Sequence, residues 1–324
     1  MIHKTTRSIL SVLLAALLLV TSTPLTPAFA GDGGNVSLQS ESDEGSFAGG
    51  TGTANDPYQI ATAEELREFA RLVNDGETDA NAILTDDIDL NPDMKIDEDG
   101  KVTNGDELAQ WTPIGNEDHR YTGTFDGNEK TISGLYIDND ANYQGLFGYL
   151  SIDGDNIGTV QNLSVSGTVS GGMFVGGVVG YNFSGTVTNC AFSGSVSGKT
   201  RVGGVVGYNS NGIVTNSYNT GEVSGNSYVG GVVGGNNSAS ASVTNCYNTG
   251  KVSGSKTVGG VVGNNSFSAT VTNCYNTGEV SGPDSGSDSY VGGVVGLNSG
   301  SGTVKNCYNT GSVSGPDSVS GSYV

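Results

Sequence analysis

The chain has 324 residues, 53 of them glycine, and carries 33 acidic side chains against 13 basic ones for a formal charge of −20 at pH 7. Such a surface repels nucleic acid and anionic lipid alike, so neither is an expected partner. Glycine recurs without a three-residue period, which excludes collagen.

Residues 1–30 read as a secretory signal. His3, Lys4 and Arg7 precede an apolar run from Ile9 to Val20, and Ala28-Phe29-Ala30 offers a cleavage site before Gly31. The run is too short to span a bilayer, so no transmembrane segment is expected after cleavage. No cysteine follows it, which argues against a lipid anchor. Removing Lys4 and Arg7 from the 13 basic residues leaves 11 against 33 acidic ones, a net −22 for the exported chain. That charge keeps it soluble and could also attract cations or basic partners.

Residues 31–53 are glycine, serine and acidic residues with few apolar ones, the composition of a disordered leader. Order is expected from about Asp56-Pro57-Tyr58. Thr62 and Glu65 then form a capping box, and Leu66, Phe69, Ala70 and Val73 recur at helical spacing until Gly76 ends the pattern. One amphipathic helix follows, placed to plug an apolar end. Short strand-like runs come next, at Ile83-Leu84, Ile88 to Leu90, Tyr121 to Phe125 and Thr131 to Ile137. Between them lies a polar excursion over 91–110, too long and too charged for a coil, which is expected to project from the side. Residues 54–142 thus read as a cap with irregular first coils.

From residue 143 to 324 the chain is repetitive. Val175-Gly176-Gly177-Val178-Val179-Gly180, followed by Gly185-Thr186-Val187-Thr188-Asn189-Cys190, begins again at Val202, Val229, Val258 and Val291. A period near 30 residues means a solenoid, and about three short strands per period is the composition of a parallel β-helix. The fold class is therefore all-β, with one N-terminal capping helix.

Comparing the repeats with one another assigns their faces. Val187, Val214, Val243, Val271 and Val304 stay apolar and point inward, as do Val196, Val223, Val252, Val280 and Val313. Tyr218, Tyr247, Tyr275 and Tyr308 share a column with Ser164 and Ala191, so they form an outward tyrosine ladder. Asn162, Asn189, Asn216, Asn245, Asn273 and Asn306 form a second column whose amides can bond from rung to rung and satisfy a buried corner. Glu222, Lys251 and Glu279 share a third, where each acid meets a base on the next rung.

Cys190, Cys246, Cys274 and Cys307 occupy one inward position, which Ser217 fills in the remaining copy. At about 4.8 Å per rung, Cys190 lies about two rungs from Cys246, beyond the ~7 Å limit for a bridge. Three contiguous cysteines cannot all pair within one chain. A mostly reduced ladder is expected, and two disulfides by intact mass would contradict it.

These residues resemble the GLUG-repeat family of bacterial secreted and cell-surface proteins. The resemblance rests on Gly145-Leu146-Phe147-Gly148, the Val-Gly-Gly-Val-Val-Gly blocks and the Asn-Cys-Tyr-Asn-Thr-Gly segments. Upstream, Asp56-Pro57-Tyr58, Asp87-Ile88-Asp89-Leu90, Trp111-Thr112-Pro113-Ile114-Gly115 and Gly123-Thr124-Phe125-Asp126-Gly127 resemble the family's lead-in. The resemblance covers roughly residues 47–324 and implies a right-handed parallel β-helix at a bacterial cell surface. Such repeats also occur in immunoglobulin A peptidases beside a zinc domain bearing His-Glu-x-x-His, a motif this sequence lacks.

Candidate chemistry is sparse. Asp97, Asp99 and Asp106 resemble part of a calcium loop, but Lys95 falls where the first ligand of an EF-hand would stand. Asp86, Asp87 and Asp89 could pair as carboxylates for glycoside hydrolysis, although they also suit a turn. The tyrosine ladder offers flat faces to an extracellular glycan or a host or cell-surface protein. No catalytic residue and no cofactor other than weakly bound calcium is expected. The reading is a non-enzymatic secreted or surface scaffold or adhesion module. Its alternatives are a polysaccharide-processing enzyme and the N-terminal stalk of a larger surface protein, since Ser322-Tyr323-Val324 repeats Ser289-Tyr290-Val291 as though a new rung begins. An uncapped final rung would favour end-to-end association.

Overall fold

The computed structural model describes residues 47–98, 100–283 and 289–315. The expected signal peptide and most of the leader lie outside that range. At its C-terminal end the leader is corrected. Ala48 N–H donates to Gln59 O at 3.1 Å and Gln59 N–H to Gly49 O at 2.7 Å, while the Phe47 ring stacks on Tyr58 at 4.3 Å. The Phe47 ring contact, pairing along the Tyr58–Ile60 edge and the bonds of Asn81 to Gly52 O order residues 47–53, which average composition does not register.

Helix α1 (Ala63–Asn74) forms as its local signals require. Thr62 Oγ1 accepts Glu65 N–H at 3.2 Å, and Glu65 Oε2 accepts the backbone N–H groups of Ala61 and Thr62. Gly76 takes φ +121° just beyond the C-cap. Leu66, Phe69, Ala70 and Val73 are buried, and Phe69 packs on Tyr121 and Phe125 with ring centroids 6.0 and 5.8 Å apart. The helix therefore closes the apolar interior at the first coils.

The body is a parallel β-solenoid of about eight turns. Each residue of a repeat pairs with its counterpart on the next: Val175, Val202, Val229, Val258 and Val291 form one continuous register. The 29- and 33-residue periods keep that register on both sides of their extra residues. Val187, Val214, Val243 and Val271 are fully buried, as are Val223, Val252 and Val280, whereas on the last described rung Val304 is 39% exposed and Val313 half-buried because no described rung covers them. One parallel sheet carries the Thr-Val-Thr, Tyr-Asn and Val-Ser segments. Among the described residues a second, six-stranded sheet runs from Phe147–Leu150 to Val295–Asn298.

The glycine pair in each repeat has a packing cause. A Cβ on Gly231 would lie 2.4 Å from Asn248 Cγ and 2.2 Å from Gly260 O. Only glycine lets the strand approach the amide side chain lying across it.

The excursion over 91–110 is pinched at its base. Asn91, 8% exposed, donates to Ala109 O at 3.0 Å and accepts Ala109 N–H at 2.8 Å. Beyond this clamp the chain runs out through an antiparallel bridge between Ile96 and Val102, leaving Ile96 56% exposed.

Candidate functional site

The outward tyrosines occupy one column and stack face to face. Ring centroids of Tyr218 and Tyr247 are 4.7 Å apart, those of Tyr247 and Tyr275 4.9 Å, and those of Tyr275 and Tyr308 5.2 Å, with interplanar angles of 3°, 3° and 7°. Tyr218, Tyr247 and Tyr275 are half-buried, while Tyr308 is 56% exposed. The stacking changes what the ladder can offer. Each inner ring has both faces covered by its neighbours, so a sugar cannot lie flat on it, and the solvent meets a row of phenol edges instead. Burial and the adjacent phenols Tyr218 and Tyr275 raise the pKa of Tyr247 above its ordinary value.

The expected asparagine column is an exposed seam, not a buried corner. Asn189 donates to Asn162 at 2.9 Å, Asn245 to Asn216 and Asn273 to Asn245 at 3.1 Å, and Asn306 to Asn273 at 3.2 Å. Asn162 in turn donates to the Asp126 carboxylate at 3.0 Å. All six asparagines take left-handed φ values between 49° and 55°. Asparagine tolerates this region better than other side chains, so the corner selects it for backbone reasons as well.

Two further asparagine ladders lie inside and escaped the sequence reading. Asn182 donates to Asn209, Asn209 to Asn236, Asn236 to Asn265 and Asn265 to Asn298, each at 2.8 Å. Asn219 donates to Asn248 and Asn248 to Asn276 at 2.8 Å, and Asn276 to Asn309 at 2.7 Å. Each amide also donates to a nearby backbone carbonyl, as Asn248 does to Gly250 O at 2.7 Å. The signal was present, because Asn219, Asn248, Asn276 and Asn309 recur after the tyrosine at an unvarying position. Recurrence alone does not say which way these side chains point.

All four cysteines are free thiols on one inward column. Cys190 N–H donates to Ser217 Oγ at 3.1 Å, which places the serine between Cys190 and the other three. Burial pushes the Cys190 thiol up to about 12 and raises Cys246 as well. Only Cys307 is half-exposed.

The other candidates are taken up by turns and by hydrogen bonds to the backbone. Asp97 Oδ1 accepts Lys101 N–H at 2.8 Å, and Asp106 sits in the short 3-10 turn Gly105–Glu107. Asp99 lies outside the described residues. Among the described residues no three His, Cys, Asp or Glu side chains converge as a metal site. Asp87 accepts Thr131 N–H at 2.7 Å, Asp86 accepts Asp87 N–H at 2.8 Å, and Asp89 accepts Asn91 N–H at 3.1 Å. Glu222, Lys251 and Glu279 share their column, but the expected ion pairs do not form. Among the described residues the ion-paired bases are Arg67, Arg71 and Lys199. Exposed charges gain little from pairing, so they turn to solvent.

A second aromatic surface is assembled from parts that sequence spacing did not connect. Tyr149, Tyr181 and Tyr208 form a column on the six-stranded sheet. Beside it, Tyr143, Phe174, Arg201 and Tyr228 project from successive corners, all at left-handed φ between 55° and 62°. Their rings meet at 4.6 Å for Tyr149 and Tyr181, 5.1 Å for Tyr143 and Phe174, and 5.2 Å for Tyr181 and Tyr208.

Comparison with known proteins fits this architecture. The profile of the GLUG motif matches residues 171–197, 198–224, 225–253, 254–281 and 287–314. A chain of Evansella cellulosilytica described as a Gly-rich membrane protein is 36% identical over 148 residues, 44% of this chain and 15% of that one. Halomucin of Haloquadratum walsbyi is 35% identical over 158 residues, 40% of this chain and 2% of that one. This chain thus spans a small part of either relative. The crystal structure of a Bacteroides ovatus protein described as an immunoglobulin A1 protease superposes with a TM-score of 0.59 at 21% identity, covering 81% of this chain and 78% of that one, a likeness of fold. Register, interior columns and profile matches coincide on the same five units, and residues 171–314 of this chain are GLUG repeats.

Proposed function

We propose that this chain is a surface-type β-solenoid that works as a rigid scaffold and adhesion module, with no catalytic centre of its own. The observation that carries the reading is the outer wall itself. Its unbroken columns of Asn and Tyr repeat at the rung spacing and suit a repetitive partner such as an extracellular glycan or a cell-surface protein. The carboxylates that could have formed a hydrolytic pair accept backbone N–H groups, Asp86 and Asp89 locally and Asp87 from Thr131 on another strand. The relatives described as a Gly-rich membrane protein and halomucin support a surface setting.

The test is twofold. Antibody against the repeats should label intact producing cells, and the purified chain should bind in a glycan and surface-protein screen without consuming what it binds. Labelling confined to the cell interior, or turnover of a bound polysaccharide, would contradict the reading.

A further inference from the structure

The aromatic surface beside the six-stranded sheet holds two arginines in an unusual setting. The Arg201 guanidinium carbon lies 4.7 Å from the Tyr208 ring centroid, 5.3 Å from Phe174 and 5.6 Å from Tyr228. The Arg120 guanidinium lies 4.7 Å over Tyr149, and its Nε donates to Glu117 O at 3.1 Å. Neither guanidinium is among the ion pairs of the described residues, which involve Arg67, Arg71 and Lys199. In a chain with 33 acids to 13 bases, carboxylate partners are plentiful. Arg201 is instead held among ring faces and Arg120 by the Tyr149 ring and the Glu117 carbonyl, with their terminal N–H groups left for something else.

A layer that served only to brace the wall would not need them. Rings alone would cover it, and for the half-buried Arg201 a guanidinium without an acceptor is a cost. Four successive non-glycine residues at left-handed φ, three of them aromatic, add strain that folded proteins tend to retain where side chains must be aimed.

We infer that this surface binds a linear uronic-acid polysaccharide lying along the solenoid axis. A guanidinium fork matches a carboxylate in bidentate fashion. Tyr149 and Tyr208 are buried, while Tyr143, Phe174, Tyr181 and Tyr228 stay partly exposed, so the apolar face of a sugar meets ring edges beside the two guanidinium groups. Tyr149 and Tyr208, which seat the two arginines, are two rungs apart in one column, or about 9.6 Å at about 4.8 Å per rung. Two such contacts fit recurrent carboxylates on one polymer better than a single small anion. A polymer of higher charge density, such as polyphosphate, is disfavoured by the chain's net −20 and by Glu117, whose carboxylate accepts the Tyr143 hydroxyl at 3.3 Å at the rim. The inference concerns a different surface from the tyrosine ladder and holds for the purified chain wherever the cell places it.

Titration calorimetry of the full chain with a β-1,4-linked mannuronate hexamer tests it, with neutral mannohexaose and inorganic polyphosphate as comparisons. The hexamer should bind, and Arg201→Gln should weaken binding about tenfold or more, with Arg201→Lys in between. Arg120→Gln, at an exposed position, should show a similar loss and gives an independent answer should Arg201→Gln disturb folding, which the unfolding midpoint reports. The inference is overturned by absence of binding at millimolar hexamer, by binding that survives the double Arg120→Gln/Arg201→Gln change, or by equal or tighter binding of mannohexaose or polyphosphate.

Discussion

Asn219 and Asn248, 29 residues apart in sequence, join by an amide hydrogen bond of 2.8 Å between two fully buried side chains. Asn248 accepts from Asn219 and donates to Asn276, so removing it leaves two neighbours each short of a bond in the apolar interior. Asn248→Ala should therefore destabilise the chain by about 2–6 kcal/mol. Asn245→Gly, in the exposed seam where glycine accepts the left-handed corner, should cost under about 1 kcal/mol. Urea unfolding of the two variants checks the contrast, and equal losses would remove the distinction between the ladders.

Gly231 faces the same amide. Gly231→Ala forces a Cβ into Asn248 Cγ and Gly260 O, and neither a backbone carbonyl nor a laddered amide can move freely. The expected loss is about 1–3 kcal/mol or more, with the melting temperature falling accordingly. An unchanged midpoint would mean that the strand approach is looser than described.

The tyrosine stack makes a separable claim. Tyr247 contacts a ring on either side, so Tyr247→Ser should cost about 1–3 kcal/mol for the two ring pairs, beyond lost burial. Tyr308→Ser, at the outer end with one ring neighbour, should cost about half as much. If neither substitution alters stability while ligand binding is lost, the ladder is an adhesive feature and not a brace.

Cysteine titration links burial to pH. The Cys190 thiol is raised from 9.0 to about 12 by burial, so the folded state holds its proton where the unfolded state has released it. Stability from this group is fully present below pH 9 and is lost as pH rises toward 12, at up to about 1.4 kcal/mol per unit. Urea midpoints from pH 8 to 11 should fall less steeply in Cys190→Ser than in the native chain, the remaining fall coming from buried Cys246; Ser217 in the same column is a precedent for the change. In thiol labelling at neutral pH, Cys307 should react in the folded chain, and Cys190, Cys246 and Cys274 only on unfolding.

Sequence alone determined the solenoid, its register and its capping helix. Thr62 and Glu65 lie three residues apart, so their capping box needs nothing distant. The valine columns were visible because the repeats can be compared with one another, and a position that is apolar in every copy must face the interior. Only the tertiary structure decided which amides are buried. Asn216 and Asn219 are three residues apart in the same short segment, yet the left-handed turn at Asn216 redirects the chain, so one side chain faces water and the other the core. Simple alternation cannot anticipate such a reversal. The same limit hid the arginines among the aromatic rings. Arg120 and Arg201 are 81 positions apart in the sequence, and they share one surface only because coiling brings successive corners and strands into adjacent columns.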